Sequence, residues 1–422
     1  MNTSKKRSQS FSHSCIFSHE ALLILGLTIS EDCLYLNVFT PHATRLDSKL
    51  AVMVYIHGGG FCMGSPPDDM ASVVASFYDV IFVGIQYRLG ILGFLNIPGS
   101  EITGNLGLRD QIEALKWVKS NIASFGGDPS RVTIFGESAG AVSASLLMLI
   151  PQAKNLFHRV IAQSGAADSV HTLCKVQDKI PASTFLGYLN CSLGDHLQCL
   201  RTKSQEEILS AQFKLMSSAT SGDLWVLISP TVDGDFLTDV PRNLLRKKQF
   251  QGVPSIFGIN ANEGSVVPTM MFTQVPLSMY TQEFFKGFIF ASKNIPEGEN
   301  DAIKAAILHY YTNYSVPRTP EVVRQQFMDM FGDKFATAPA ILNLQSLAEA
   351  GVPGNFYVFA HRSKYSIWPD YAGVNHADEL PYILGTTFKS PPTLPLTTGF
   401  TEMEKGLSKF MMKLWTNFAK YG

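Results

Sequence analysis

The stretch Val132-Thr133-Ile134-Phe135-Gly136-Glu137-Ser138-Ala139-Gly140 carries an apolar, β-branched run straight into a Gly-x-Ser-x-Gly pentapeptide. Such a run predicts a strand, and the abrupt change after it predicts a sharp turn into a helix, here over residues 141 to 150. A serine lifted onto a strained turn of this kind needs flanking residues without a Cβ, because strand and helix backbones pass close together there. The helix that follows aims the positive end of its dipole at the serine, where an oxyanion forms during acyl transfer. Ser138 is therefore the candidate nucleophile, and this turn is the feature around which the chain is organised.

The surrounding pattern supplies a sheet to carry that turn. Leu34 to Phe39, Ala51 to Ile56, Val80 to Gln86, Arg159 to Gln163, Pro254 to Ile259 and Asn355 to Ala360 read as further strands. Several are continuous apolar runs, as expected of strands buried on both faces of a parallel sheet. Between them Leu108, Ile112, Leu115, Val118 and Ile122 recur at three- and four-residue steps, predicting an amphipathic helix closed by Gly126-Gly127-Asp128-Pro129. Alternation of this kind implies right-handed βαβ crossovers, and hence an α/β fold with a central, mostly parallel sheet flanked by helices. Residues 172 to 221 and 267 to 335 break the pattern with shorter pieces that suit a lid or pocket wall. A last amphipathic helix is expected through Met403, Leu407, Phe410, Met411, Leu414 and Phe418.

Composition narrows the chemistry. With 45% hydrophobic and 16% charged residues the chain reads as globular with a large core. A net charge of −1 argues against a nucleic-acid partner. No run reaches the roughly 18 apolar residues needed to span a bilayer. Residues 1 to 14 are polar and predicted disordered. Ala21 to Ile29 follows Lys5-Lys6-Arg7 but leaves no room for a leader cleavage site before Ser30. It reads as a short buried segment or as an unrelated start on a secretory-type body, so residues 1–29 are set apart from 30–422. The six cysteines include no C-x-x-C pair and no histidine at zinc spacing, which argues against a metal site. Cys191 and Cys199 flank a short polar loop and suit a small disulfide in an oxidising compartment. Asn190-Cys191-Ser192 and Asn313-Tyr314-Ser315 are glycosylation sequons.

A serine hydroxyl needs a histidine to take its proton and an acid to orient that histidine. On an α/β-hydrolase sheet the three occur in the order serine, acid, histidine. His309, His361 and His376 lie far enough downstream. His309 falls in an apolar helical segment and His361 ends a strand, whereas His376 occupies the loop Gly373-Val374-Asn375-His376-Ala377-Asp378-Glu379 beyond a strand, where catalytic groups belong. For the acid, Glu263 follows the strand ending near Ile259, and Asp233 and Asp235 are its rivals. The oxyanion requires preorganised N–H donors, which Gly59 and Gly60 of His57-Gly58-Gly59-Gly60-Phe61 and the residue after the nucleophile, Ala139, would supply. None of this chemistry requires a cofactor.

These motifs resemble the type-B carboxylesterases, the group that includes liver carboxylesterases, cholinesterases and bile-salt-activated lipase. The resemblance rests on Glu31-Asp32-Cys33-Leu34-Tyr35-Leu36-Asn37-Val38, on the His57 to Phe61 run, and on Phe125-Gly126-Gly127-Asp128-Pro129 with Gly136-Glu137-Ser138-Ala139-Gly140. It implies an α/β-hydrolase fold, Glu263 as the acid and His376 as the base. It also implies a disulfide between Cys191 and Cys199, a bond from Cys33 to an upstream cysteine for which Cys15 is the candidate, and a secretory location. Family strands before the Glu31 motif, and a further strand and helix after Gly422, have no counterpart here. Their absence is expected to expose a sheet edge and pocket wall. Cholinesterases hold the choline cation on a tryptophan in the stretch corresponding to Ile16 to Asp32, which contains none here. The expectation is a serine esterase of uncharged small-molecule esters; the competing expectation is an inactive binding module on the same fold.

Overall fold

The computed structural model describes residues 30–422 except 67, 98–99, 170–173, 176–181, 193, 219–228, 272, 274, 292–300 and 389–398. The segment expected to be disordered, the apolar stretch before Ser30, Cys15 and parts of the 172 to 221 excursion lie outside the described residues.

Seven strands build the main sheet: β1 (Leu36–Phe39), β2 (Leu50–Ile56), β3 (Ile81–Ile85), β4 (Gly127–Glu137), β5 (Arg159–Gln163), β6 (Ser255–Asn260) and β7 (Gly354–Phe359). Their spatial order is β1-β3-β2-β4-β5-β6-β7. Only β1 runs antiparallel, with Leu36 opposite Ile85. The remaining neighbours are parallel. All seven expected strands are present, with ends shifted by a residue or two except in β4. That strand begins at Gly127, directly after Gly126 turns the chain at φ +81°. The glycine pair read as a helix stop is thus also a strand start.

Alternation within the strands sorts the core into two layers. Val52, Val54, Ile56, Val132 and Ile134 face one side and meet Leu108, Ile112, Leu115 and Val118 of helix α1 (Leu106–Asn121). That layer also takes in helix α2 (Ala139–Leu147), every residue of which is buried. Met53, Tyr55, Phe82, Phe135 and Ile161 face the other side and meet the C-terminal helix α3 (Glu402–Tyr421) through Met411, Met412, Trp415 and Phe418. The register of α3 differs from the expected stripe, because Met403, Phe410 and Leu414 are exposed. Trp415 Nε1 donates to Gln163 Oε1 on β5 at 3.0 Å, and Thr401 with Glu404 forms a capping box at the N-terminus. These two anchors rotate the helix so that Met411, Met412, Trp415 and Ala419 lie inward.

The excursion after β5 contains the helices Ala182–Tyr188, His196–Arg201 and Gln205–Ser218, and the Cys191–Cys199 disulfide is formed. Among the described residues no helix is long and apolar enough to cross a membrane. Four strands, β2, β4, β6 and β7, lead at their C-terminal ends into the segments that hold Gly58 to Gly60, Ser138, Glu263 and His376.

Candidate active site

Ser138 takes φ +56° and ψ −122°, a strained conformation for a residue with a Cβ. It is held there from both sides. Its N–H donates to Gln163 O at 2.8 Å, and its carbonyl accepts from Val142 N at 2.9 Å in the first turn of α2. The glycine run after β2 lies against this turn. A Cβ on Gly58 would stand 2.6 Å from Glu137 O and 3.2 Å from Ser138 Cβ, so only a glycine lets the two segments meet. Gly59 and Gly60 follow at φ +108° and +61°, and Gly59 O accepts from Cys62 N and Met63 N. Among the described residues neither glycine N–H is donated to another protein atom. The loop that carries these two N–H groups meets the serine turn through Gly58, and Ala139 is the first residue of α2.

Glu263 and His376 meet across more than a hundred residues of sequence. His376 Nδ1 lies 2.7 Å from Glu263 Oε2, and both side chains are buried. The other Glu263 oxygen accepts from Asn260 N at 2.7 Å, which fixes the carboxylate against the end of β6. With Nδ1 on the acid, Nε2 is the nitrogen that faces the serine turn. It stands 3.0 Å from Glu137 Oε1. Glu137 Oε1 makes no hydrogen bond among the described residues, so this approach is a charge contact. Among the described residues no hydrogen bond joins Ser138 Oγ to the imidazole. Phe335 packs edge-on to the ring, its centroid 5.2 Å away.

The electrostatics centre on too many carboxylates for one imidazole. Glu137, Glu263 and Glu379 are all buried around His376. Burial pushes Glu137 up; the imidazolium opposes that, and Glu379 and Glu263 reinforce it. Burial also raises Glu379, with Glu263 adding to the effect, although Gln163 Nε2 at 2.9 Å and Asn260 Nδ2 at 2.7 Å donate to its two oxygens. For His376 burial acts downward, but the carboxylates of Glu137 and Glu263 outweigh it and hold the imidazole above its ordinary value. The arrangement stabilises positive charge on the ring, which is the state a general base reaches after taking a proton.

The other sequence candidates lie elsewhere. Asp233 Oδ1 accepts from the N–H groups of Asp235, Phe236 and Leu237, which is a turn, and Asp235 is exposed. His361 pairs with Glu404 at 3.2 Å, and His309 faces Tyr314 on an exposed helix. Glu137 and Glu379 were not singled out from sequence. Glu137 sits inside the pentapeptide, and Glu379 is one helical turn beyond His376; a carboxylate at either position is the available signal.

A model described as the carboxylesterase family matches residues 1–422. The chain is 37% identical to carboxylesterase 1C of Rattus norvegicus over 404 residues, covering 94% of this chain and 70% of the relative. It is 37% identical to pyrethroid hydrolase Ces2e of Rattus norvegicus, covering 94% and 67% respectively. With cholinesterase of Mus musculus it shares 38% identity over 93% of this chain and 65% of the relative. The chain thus spans about two thirds of the length of these relatives. A family-wide match over the full sequence, together with an α/β sheet whose strand ends gather a serine turn, a buried Glu–His pair and a glycine loop, establishes that the chain belongs to the carboxylesterase family.

Proposed function

We propose that the chain hydrolyses uncharged carboxylic esters through an acyl-enzyme on Ser138. The observation that carries this reading is the 2.7 Å contact between Glu263 and His376, buried beside a strained serine turn. Ser138 Oγ attacks the ester carbonyl while its proton passes to His376 Nε2. Glu263 holds the ring by Nδ1 and stabilises the imidazolium. The N–H groups of Gly59, Gly60 and Ala139 receive the oxyanion. The imidazolium then protonates the leaving alcohol, and a water activated by the same nitrogen cleaves the acyl-enzyme. In a free enzyme the link from nucleophile to base is often loose and tightens when substrate is bound. The Cys191–Cys199 disulfide suits an oxidising compartment, and we place the protein in the secretory pathway on that basis.

The test is fluorophosphonate labelling of the purified chain, followed by mass mapping. Label on Ser138, abolished by His376→Ala, is the expected result. A folded chain that takes no label would favour the second reading, a binding protein whose base is neutralised by Glu137; the 3.0 Å contact to Nε2 is the observation behind it.

Activity should also report on Glu137. Its carboxylate raises the His376 pKa, so the neutral, basic form of the ring appears only at higher pH. Glu137→Gln removes that charge and lets the ring lose its proton earlier. The acidic limb of the kcat/KM profile is expected to move down by at least about one pH unit, the size of a close charge pair at moderate effective dielectric. A limb that stays in place would show that Glu137 is already neutral at working pH.

A further inference from the structure

The acid and base belong to two separate loops, and a set of buried polar side chains ties those loops together without touching the reacting atoms. Asn262, next to the acid, accepts from Val374 N through Oδ1 at 2.9 Å, and its own N–H donates to Val374 O at 3.0 Å. Gly373 meets the same side chain so closely that a Cβ there would lie 2.1 Å from Asn262 Oδ1. Asn375, next to the base, is fully buried. Its Oδ1 accepts from His376 N at 2.9 Å and lies 2.7 Å from Ser265 Oγ, whose single proton is shared between that oxygen and Asn262 O at 2.6 Å. Its Nδ2 donates to Thr269 Oγ1 at 3.0 Å, and Thr269 Oγ1 in turn donates to Ser265 O at 2.7 Å. On the other side Asn375 N donates to Asp378 Oδ2 at 2.8 Å, and Asn375 O accepts from Asn260 Nδ2 at 2.7 Å. Asn375 therefore has every polar group occupied, and its side chain bonds only to the acid-bearing segment and to the backbone N–H of the base.

We propose that Asn375, acting with Ser265, is a positioning residue that sets the distance between Glu263 and His376. The assignment rests on the ester-hydrolase reading above and adds to it the part that holds acid and base in register. The geometry gives the reason. Glu263 sits two residues from Ser265, and His376 one residue from Asn375, so the Ser265–Asn375 bond runs alongside the Glu263–His376 bond as a second rung between the same two loops. A rung made of neutral groups does not change with pH, so it keeps the loops apart at a fixed spacing whether the imidazole is charged or not. Removing it leaves the acid facing the base but lets the spacing drift. Misplacement of this order costs up to about 100-fold in rate.

The experiment compares wild type, Asn375→Ala, Ser265→Ala, the double variant and Asn375→Asp by ester turnover across pH, with thermal unfolding measured in parallel. Asn375→Ala and Ser265→Ala are each expected to lower kcat about 10- to 100-fold with KM little changed, and the double variant to fall no further than the worse single one. A loosened Glu263 contact also lowers the imidazole pKa, so the acidic limb should move down in pH in both variants. Asn375→Asp keeps an acceptor for Ser265 and for His376 N but loses the donor to Thr269, so it should recover kcat relative to Asn375→Ala only at pH values where the new buried carboxyl is protonated. The proposal is overturned if the alanine variants turn over substrate like wild type well below their melting temperatures, or if the two losses multiply in the double variant. Wild-type activity that depends on Ser138 would leave the ester-hydrolase reading standing in either case, so failure of the rung is distinct from failure of the reading.

Discussion

Ser138→Ala should lower kcat/KM for a small ester by at least about 10⁴-fold while the protein stays folded. The loss is large because alanine has no hydroxyl on which an acyl-enzyme can form. His376 keeps its contact to Glu263, and the Gly59 and Gly60 donors remain, so binding of substrate should survive with KM little changed. The fold should survive too, because alanine keeps the Cβ and removes only the hydroxyl, which makes no hydrogen bond among the described residues. The same position offers a second readout. A φ of +56° costs a residue with a Cβ something of the order of 1 kcal/mol, whereas glycine adopts it freely. Ser138→Gly is thus expected to be about 1 kcal/mol more stable than Ser138→Ala and equally inactive. That result would mark the strained turn as retained for chemistry at a cost in stability. Unchanged turnover in Ser138→Ala would remove the serine from the mechanism altogether.

How much of this was legible in the sequence depends on the range of the interaction that decides each feature. β2 and β3 announce themselves because a strand covered on both faces is a continuous apolar run, and Val52 to Ile56 and Ile81 to Ile85 are that and nothing else. The serine turn is equally local, since five consecutive residues carry it. Glu263 and His376 could be proposed because each follows a strand end, a rule of topology that needs no contact information. The pairing of Asn262, Ser265 and Asn375 could not, because it joins residues about 110 apart and any polar loop residue looks the same from sequence. Glu137 illustrates a different limit: a carboxylate beside the nucleophile reads as a turn residue until the fold shows that Glu263 and Glu379 converge on the same imidazole. For α3 the pattern gave the helix but not its rotation. Met403, Phe410 and Leu414 fit the 3.6-residue period as well as the inward set does, and the bond from Trp415 to Gln163 and the Thr401–Glu404 capping box select between them.

Gly140→Ala should be among the most damaging single-methyl changes in the chain. In a helix interior this substitution ordinarily stabilises by about 1 kcal/mol, since alanine has the better helix propensity. Here the added Cβ would lie 2.0 Å from Ile56 O, 2.9 Å from Ile56 C and 3.0 Å from His57 C. All three are backbone atoms that cannot swing aside. Ile56 sits in the middle of the sheet, paired with Ile85 on one side and Gly136 on the other. The strand cannot retreat, so α2 must move outward, and with it Ser138 and Ala139 move away from Gly59 and Gly60. The expected cost is about 3 kcal/mol or more, read as a fall in melting temperature of at least roughly 3–4 °C for a chain of this size. Labelling of Ser138 should slow even in the fraction that remains folded, because the nucleophile and its oxyanion donors no longer share one geometry. Gly406 supplies the control. It lies within α3, where an added Cβ meets nothing within 4 Å, so Gly406→Ala should gain about 0.5–1 kcal/mol and leave labelling untouched. If both substitutions behaved alike, the close approach of α2 to the end of β2 would not be what holds the serine turn and the glycine loop together.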